Sequence, residues 1–583
     1  MAETIQGLGV ASGVGFGRVF LLHAEPLPIV PDPIPPERVD EEIERFHRAR
    51  EQASREIEDL KEQVHEAIGE RFAGIFEAQQ LVLDDPSLVS ATVKRIRIGR
   101  VSARWALKEV VAEFLRKFDS IDDDYIRERG GELADVQSRL QRVLRGESDL
   151  RRDLPEGPLV VVAKNLDPSD AVLLAQSQVV GLAADGGGRT SHTAILARAL
   201  SLPAVVGLHD FSQRVAPGDM VLVDGDAGEV VVEPSVEQKL DAEQRGEAAR
   251  AFETEMASTR DLPAVTRDGV EVLIRANIEF PVEVERAKRF GARGIGLYRS
   301  EFLFLSQVPR IPDEEEHYQA YIEIASGVAP DPAVIRTLDL GGEKYFDRVL
   351  SRDEANPVLG LRGVRFSLTR PDIFRPQLRA LLRATAEQDN IRIMLPMVTT
   401  IEEIRAVRAL LEEETRNLRE EGHQIQSGTP LGIMIEVPAA AMAADILARE
   451  VDFFSIGTND LIQYALAVDR GNEWLDRLTQ PFHPGLLRMI KWVIDGARAG
   501  NVPVALCGEM ASDPRAVDLL VGLGLREFSV HPLAVGTVRA AVRRLDAAQS
   551  ARRAAEALNR PTATEVGHDL EPPGDGLCLT RGS

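Results

Sequence analysis

Cysteine, positive charge and long apolar runs are all scarce in this chain, and each scarcity excludes a class of protein. Only Cys507 and Cys578 occur among 583 residues, which excludes a disulfide framework and indicates a reducing compartment. No apolar stretch approaches the roughly 20 residues that span a bilayer. Met1–Gly9 has neither the basic start nor the apolar core of a signal peptide. We therefore expect a cytoplasmic protein with no direct membrane insertion.

The shortage of positive charge bears on partners. Lysine and arginine total 69 against 93 aspartates and glutamates, giving a formal net charge of −24. This balance argues against nucleic acid as a partner. An acidic surface would suit a basic protein partner, although solubility alone explains it equally well. A chain of this length is too long for one hydrophobic core, so three or four domains are expected.

The first half of the chain combines β/α and purely helical patterns. Short glycine-rich strands near the start and a β/α alternation over Pro158–Val232 together predict one discontinuous domain, 1–24 and 150–233. Residues 38–146 repeat apolar side chains at three- and four-residue steps, which predicts an α-helical insertion, 25–149, that supports the structure or docks a partner. A charged, alanine-rich stretch without turn signals predicts a helical linker at 234–262.

The second half alternates strands and helices regularly. Eight apolar strand candidates predict a TIM barrel at 263–558, and residues 559–583, rich in proline and glycine, are predicted to be a mobile tail. The predicted fold class is multidomain α/β: a swivelling β/α domain with an inserted α-helical domain, followed by a C-terminal (β/α)8 barrel. The strand candidates are Val272–Ile278, Gly294–Tyr298, Val334–Asp339, Val358–Leu361, Ile391–Met397, Gly432–Glu436, Phe453–Ile456 and Pro503–Cys507.

The most informative motif is Asp185-Gly-Gly-Gly-Arg-Thr-Ser-His192, which follows an apolar strand and precedes a helical pattern. His192 is therefore expected where free backbone N–H groups and the positive end of a helix dipole converge, an arrangement that favours phosphate. The same dipole disfavours imidazolium, so the ring stays neutral and nucleophilic near pH 7. A histidine beside a glycine turn is more often structural, so a phosphoacceptor role depends on the rest of the chain.

Polar side chains follow the candidate strands where each strand ends, the face on which barrel enzymes place their sites. Glu436 and Asp460 supply hard oxygen ligands that suit Mg²⁺, with Mn²⁺ as an alternative ion. Several arginines would hold a phosphate and a carboxylate, since like charges around one mouth repel without an anionic ligand. The cationic side chains near strand ends are Arg299, Arg336, Lys344, Arg362, Arg365 and Arg470.

Cys507 ends the last candidate strand. Burial as a small hydrophobic residue is its default interpretation. At the barrel mouth its thiol could instead give a proton to a carbanion, because a thiol titrates close enough to neutral pH. A metal, an anion clamp and a proton donor together fit a small phosphorylated enol acid such as phosphoenolpyruvate. The barrel motifs offer no nucleophile, whereas His192 on a separate, pivoting domain supplies one.

Three segments, Gly187–Ile195, Gly294–Phe304 and Asp452–Leu461, resemble the Enzyme I family of the bacterial phosphotransferase system, the phosphoenolpyruvate–protein phosphotransferases. The resemblance implies that His192 is the phosphoacceptor, that Cys507 is the proton donor and that pyruvate is released. It also implies transfer to a histidine of the carrier HPr, which docks on the helical insertion, and a homodimer formed through the barrel. By the same resemblance phosphoenolpyruvate is bound by Arg299, Arg336, Asn459, Asp460 and Arg470, Mg²⁺ is bound by Glu436 and Asp460, and Lys344 and Arg362 lie close to the substrate.

Several questions of function stay open at the level of sequence. Gln79 stands where members of the family often carry histidine, which leaves the details of carrier docking open. Pyruvate phosphate dikinase and phosphoenolpyruvate synthase resemble the chain in the histidine domain and barrel, but they need an ATP-binding module and no nucleotide-binding loop is visible. A Mg²⁺-dependent barrel lyase and a non-catalytic regulatory homologue are two rival hypotheses. The branch served is sugar uptake or nitrogen regulation, and the lack of a sensory domain before the first strand favours sugar uptake.

Overall fold

The computed structural model describes the backbone of most of the chain and nearly all side chains of that part. The described residues up to Ala251 form one compact unit, and those from Phe252 to Asp569 form a second. No described helix is both long enough and apolar enough to cross a membrane. The described residues are 3–22, 30–68, 79–119, 124–146, 154–164, 166, 170, 174, 178–187, 192–200, 202–305, 311–340, 356–425, 428–469 and 473–569.

An eight-stranded sheet forms the centre of the first unit. Its strands are β1 (Glu3–Gln6), β2 (Leu8–Ala11), β3 (Val14–Leu22), β4 (Leu159–Ala163), β5 (Val179–Ala184), β6 (Ala204–Val206), β7 (Met220–Asp224) and β8 (Glu229–Val232). They stand in the order β1-β8-β7-β3-β4-β5-β6-β2, with β3 to β6 parallel and the remaining pairs antiparallel. Three strands precede the helical segment and five follow it, which confirms the predicted β/α domain with a helical insertion. The exact domain bounds stay predictions.

Four helices are described in the insertion: α1 (Val39–Ile68), α2 (Pro86–Gly99), α3 (Ala103–Asp119) and α4 (Asp124–Arg145). Phe46, Ala53 and Ile57 recur at helical spacing on α1 and are buried, so the apolar periodicity of the sequence corresponds to a core face. The start of α2 is fixed by Asp85, whose side chain accepts a hydrogen bond from the Ser87 N–H at 2.7 Å. The predicted helical character of the segment is confirmed.

Three further helices are described next in chain order: α5 (His192–Ala199), α6 (Phe211–Arg214) and α7 (Val236–Ser258). Gly187, shortly after β5, has a φ of 103°, which favours glycine. The α5 helix then begins at His192, so the predicted order of strand, glycine-rich segment and helix is present. The α7 helix covers the stretch that was predicted as a helical linker.

A closed barrel of eight parallel strands forms the centre of the second unit, and this confirms the predicted TIM barrel. Neighbouring strands are paired in chain order, and the last pairs with the first. The strands are β9 (Leu273–Ile278), β10 (Ile295–Arg299), β11 (Ala333–Arg336), β12 (Ile391–Leu395), β13 (Leu431–Ile435), β14 (Phe453–Ile456), β15 (Val504–Leu506) and β16 (Glu527–Val530).

One strand prediction is wrong and one strand was missed. The segment Val358–Leu361 is not a strand, because Pro357–Leu359 form a 3-10 helix in the connection from β11 to β12. Pro357 has no N–H to donate to a strand ladder, which disfavours pairing there. The eighth strand is β16, whose polar and apolar residues alternate. Glu527 on β16 forms an ion pair with Arg275 of β9 at 2.6 Å. This charged side chain makes β16 less apolar than the other strands, and the strand was missed for that reason.

Helices surround the strands, and the main core lies between the two layers. Capping boxes fix the starts of two of these helices, at Asp313 with Glu316 and at Thr400 with Glu403. The helices described in this unit are α8 (Glu283–Arg289), α9 (Glu301–Leu305), α10 (Glu314–Val328), α11 (Val364–Thr369), α12 (Pro371–Glu387), α13 (Ile401–Glu420), α14 (Pro438–Met442), α15 (Ala444–Leu447), α16 (Thr458–Leu466), α17 (Pro484–Ala499), α18 (Pro514–Leu523), α19 (Ala534–Arg544), α20 (Ala547–Ala557) and α21 (Ala563–Asp569).

The predicted mobile tail begins too early at 559. The α21 helix forms within it, and Val566 is buried in the core of the barrel unit. Thr562 accepts a hydrogen bond from the Glu565 N–H at 3.2 Å at the start of this helix. The prediction depended on proline and glycine content, and most of these residues stand at or after Pro572. Residues 570–583 of the predicted tail lie outside the described residues.

Side chains alternate along the barrel strands between the outer core and the barrel interior. The interior holds a separate cluster of buried residues: Leu297, Val334, Met394, Met434, Phe453 and Cys507. Arg299, Arg336 and Glu436 each stand two residues after a member of this cluster. Because the side-chain period of a strand is two, these polar side chains continue the inward-facing rows at the carboxyl ends of the strands. The fold therefore places them at one mouth of the barrel.

Candidate active site at the barrel mouth

Two arginines enter the mouth from neighbouring strands. Arg336 is buried, and its guanidinium pairs with Glu301 and, at 2.9 Å, with Asp339. Burial lowers the pKa of Arg336, but these carboxylates outweigh it and the pKa is raised. Arg299 is one-third exposed and pairs with Glu279 at 3.2 Å. The strands β10 and β11 thus present two adjacent guanidiniums, one fixed in the interior and one open to solvent.

Arg362 is the most fully bonded side chain of the site. Its Nε and Nη2 donate to Asp339 at 3.1 and 3.2 Å, and its Nη1 and Nη2 donate to Asp460 at 3.0 and 3.1 Å. Nη1 also donates to the Tyr464 hydroxyl at 3.3 Å. A guanidinium carries five N–H bonds, and all five have acceptors here. Arg362 therefore orients Asp339 and Asp460, and a substrate anion could bind it only by displacing one of these carboxylates or the Tyr464 hydroxyl.

Three carboxylates converge near these arginines. Glu436 is buried, and its Oε1 accepts a hydrogen bond from the Met397 N–H at 2.6 Å. Burial, followed by the charges of Asp460 and Asp339, raises the pKa of Glu436 to about 8. Burial opposes ionisation of Asp339 as well, but Arg336 and Arg362 hold its pKa below the usual value. A proton or a cation at Glu436 relieves the repulsion among these groups.

The donor set fits a small hard cation. Among the described residues, no three or more His, Cys, Asp or Glu side chains are arranged to hold a metal ion. Mg²⁺, however, is commonly held by only one or two carboxylates, with substrate phosphate and water completing its shell. Glu436 and Asp460 provide two such ligands on neighbouring strand ends, and the raised pKa of Glu436 reflects negative charge that a cation would neutralise. The predicted pair is therefore chemically suited to Mg²⁺.

Asn459 and Glu509 link the ends of β14 and β15. The Asn459 Nδ2 donates to Glu509 Oε1 at 3.0 Å, and the Glu509 N–H donates to Asn459 Oδ1 at 2.9 Å. A Cβ at Gly508 would lie 1.8 Å from Thr458 Oγ1, so only glycine permits this approach of the two loops. These contacts fix Asn459 at the start of α16, next to Asp460.

Cys507 is buried at the end of β15. Burial raises the pKa of its thiol to about 11, while the Ser455 hydroxyl acts in the opposite direction. The thiol donates weakly to the Ile456 carbonyl at 3.6 Å. Asn277 Nδ2 donates to the Cys507 carbonyl at 2.9 Å, and Ser529 Oγ donates to Asn277 Oδ1 at 2.5 Å. The thiol therefore stays protonated at neutral pH, as a proton donor must, and is not a thiolate nucleophile.

Some predicted residues lie outside the described part of the chain. Lys344 and Arg470 are among them, and His192 is described only in its backbone. Gln79 of the insertion is buried. The structure brings together the remaining predicted site residues, which are Arg299, Arg336, Arg362, Glu436, Asn459, Asp460 and Cys507. Sequence reasoning did not identify the partners that orient them, namely Asn277, Glu301, Asp339, Met397 and Ser529. Of these, Glu301, Asp339 and Met397 stand at or just after the ends of predicted strands, whereas Asn277 and Ser529 gave no signal.

Comparison with known proteins identifies three matching family models. The N-terminal domain of PEP-utilising enzymes matches residues 6–129, their mobile domain matches 155–228, and their PEP-binding domain matches 253–547. The phosphoenolpyruvate-protein phosphotransferases of Bacillus sp. (strain S) and Geobacillus stearothermophilus are each 41% identical to the chain, over 97% of both sequences. That of Listeria innocua is 40% identical over 97% of this chain and 98% of its own length.

Proposed function

Because the chain belongs to the phosphoenolpyruvate-protein phosphotransferase family, we propose that it transfers the phosphoryl group of phosphoenolpyruvate to His192. Pyruvate leaves, and the group then passes to a histidine of the carrier HPr. The observation that supports this most is the buried set of guanidiniums and carboxylates at the barrel mouth, with a protonated thiol beside it. Such a site suits a small phosphorylated enol acid, and among its described residues no side chain is placed to accept the phosphoryl group.

Different side chains of the protein bind the substrate and accept the phosphoryl group. Arg299 and Arg336 bind the phosphoryl and carboxylate groups of the substrate, and Asn459 adds a hydrogen bond. Phosphoryl transfer needs mainly in-line placement and neutralisation of charge, which these donors supply. His192, at the start of α5, presents a neutral ring nitrogen to the phosphorus. Arg470 and Lys344 are proposed to assist at the same mouth.

Mg²⁺ would be held by Glu436 and Asp460 and, when bound, would neutralise charge on the phosphoryl and enolate oxygens. As the bond from the enol oxygen to phosphorus breaks, its electron pair returns to the enolate. The Cys507 thiol then gives its proton to the methylene carbon, which yields pyruvate, and solvent restores the thiol. The high pKa of the thiol keeps that proton available at neutral pH.

The proposal extends to context. The helical insertion docks HPr, the barrel forms the homodimer interface, and the protein acts in the cytoplasm to energise sugar uptake. The low cysteine content and the acidic surface support the compartment and a basic carrier.

A pyruvate-release assay tests the proposal. With phosphoenolpyruvate, Mg²⁺ and HPr, wild-type protein should release pyruvate continuously, and the H192A variant should release none. Activity of H192A equal to wild type would favour a barrel lyase. Phosphorylation by ATP without phosphoenolpyruvate would favour a dikinase, and no turnover of any kind would favour a regulatory homologue.

A further inference from the structure

A buried glutamine outside the binding groups connects two segments of the barrel mouth. Gln377 lies on α12 and is 0% exposed. Its Oε1 accepts a hydrogen bond from the Leu338 N–H at 3.0 Å, and its Nε2 donates to Ser300 Oγ and to Tyr321 Oη, each at 3.0 Å. The carboxamide thus joins a backbone N–H and two side-chain hydroxyls from three separate segments of the chain.

The positions of these partners in the chain matter most. Ser300 stands directly between Arg299 and Glu301, at the end of β10. Leu338 is two residues after Arg336, in the segment that leads to Asp339. Gln377 therefore spans the two segments that carry the guanidiniums proposed to bind the substrate.

The orientation of the carboxamide follows from its partners. A backbone N–H can only donate, so the oxygen of Gln377 must face Leu338 and its nitrogen must face the two hydroxyls. The Tyr321 hydroxyl accepts from Gln377 and lies 2.8 Å from His317 Nδ1, within hydrogen-bond distance. Burial raises the pKa of Tyr321, so this phenol stays protonated. The carboxamide therefore has one orientation that satisfies all three of its partners, which restrains the side chain of Gln377.

We propose that Gln377 is a positioning residue for Arg299 and Arg336, the arginines proposed to bind the substrate. Its hydrogen bonds hold the segment after β10 and the segment after β11 at a fixed separation. The inference rests on the proposed function, since it assigns Gln377 to the phosphoenolpyruvate site without contact to the substrate. An apolar side chain at this place leaves the Leu338 N–H buried without an acceptor, so the segment must shift to find one. A displacement of ~1 Å in substrate-positioning groups can cost about a hundredfold in rate.

A matched control exists at the opposite end of the same strands. Asn390 is a buried carboxamide just before β12, and its Nδ2 donates to the carbonyls of Ala325 at 2.9 Å and Asp331 at 2.7 Å. It also bridges separate segments, but these lie at the amino ends of β11 and β12, away from the mouth. Q377M and N390L each replace a bonded carboxamide by an apolar side chain of similar size.

The experiment measures phosphoenolpyruvate binding by calorimetry with Mg²⁺, in full-length protein carrying H192A so that no turnover occurs. We expect both variants to lower the melting temperature, and only Q377M to weaken binding, by about tenfold or more. In the wild-type background, Q377M should raise KM more than it lowers kcat, because Cys507 and His192 are untouched. Equal binding by Q377M and N390L would overturn the inference.

Two further outcomes have defined meanings. If Q377M does not fold, S300A removes one bond of the network at lower cost, and it should weaken binding about threefold; unchanged binding by S300A would then overturn the inference. If H192A protein without further change fails to bind phosphoenolpyruvate and wild-type protein releases no pyruvate, the proposed function fails, and the inference fails with it.

Discussion

Replacing Arg362 by methionine should destabilise the barrel far more than the same change at Arg365. The Arg362 side chain is 12% exposed, and all five of its N–H groups bond to Asp339, Asp460 and Tyr464. R362M leaves two buried carboxylates without this partner. Arg365 lies three residues further on, is one-third exposed and reaches Glu403 only at 4.0 Å. Comparing the two variants therefore distinguishes the cost of breaking a buried ion cluster from the cost of removing a surface charge.

The expected magnitudes follow from burial. Removing one partner from a buried ion pair costs about 3–5 kcal/mol, whereas an exposed pair is worth about 0–1 kcal/mol. At about 2 °C per kcal/mol for a large domain, R362M should lower the barrel's melting temperature by about 6–10 °C. For R365M the same conversion gives about 2 °C or less.

Scanning calorimetry of the full-length, metal-free protein measures both variants. A D460N/R362M double variant should melt above R362M, because one orphaned charge is gone. The limit expected for an exposed ion pair is about 2 °C. If R362M melts within that limit of R365M, the ion cluster around Arg362 does not stabilise the barrel as argued. A double variant that melts at the sum of the two single shifts would refute the coupling of Arg362 to Asp460.

Three other predictions concern single groups at the mouth. With C578S making Cys507 the only thiol, iodoacetamide should react about a hundredfold more slowly with native than with unfolded protein at neutral pH, since burial raises the thiol pKa to about 11; equal rates would contradict this. In metal-free protein, stability should fall as pH rises from about 5 to 8, because the folded pKa of Glu436, about 8, exceeds its unfolded value and the extra bound proton stabilises the folded state only until it is lost. E436Q should make the melting temperature less dependent on pH in calorimetry. An unchanged dependence on pH would contradict the raised pKa of Glu436. G457A would put a Cβ 2.9 Å from Glu436 Oε2 and should weaken Mg²⁺ binding in titration calorimetry, whereas G567A, whose Cβ meets nothing within 4 Å, should not; equal affinities would contradict the placement of Glu436.

The sequence was sufficient for the strand-end residues of the barrel. Apolar runs located every strand except β16, and the period of two along a strand then places Arg299, Arg336 and Glu436 at one mouth. The error at Val358–Leu361 and the omission of β16 share a cause. A barrel strand that carries an inward ion pair, such as Glu527 with Arg275, does not look apolar, whereas a short apolar turn does.

The pairing of charges was not predictable. Arg362 was expected near the substrate, and nothing in the chain order indicates that two carboxylates, Asp339 and Asp460, already occupy all but one of its donors. The raised pKa of Glu436 likewise depends on burial and on carboxylates distant in sequence. Such features arise from tertiary packing, so spacing along the chain identifies the residue types of the site but not their partners.

Labelling with phosphoenolpyruvate that carries radioactive phosphate tests the central claim most directly. The protein is incubated with this substrate and Mg²⁺, digested, and mapped for acid-labile phosphate. If His192 is the phosphoacceptor, the peptide that contains it carries the label, one pyruvate is released per phosphate bound, and H192A carries no label. Label on another peptide, or undiminished labelling of H192A, would contradict that role of His192.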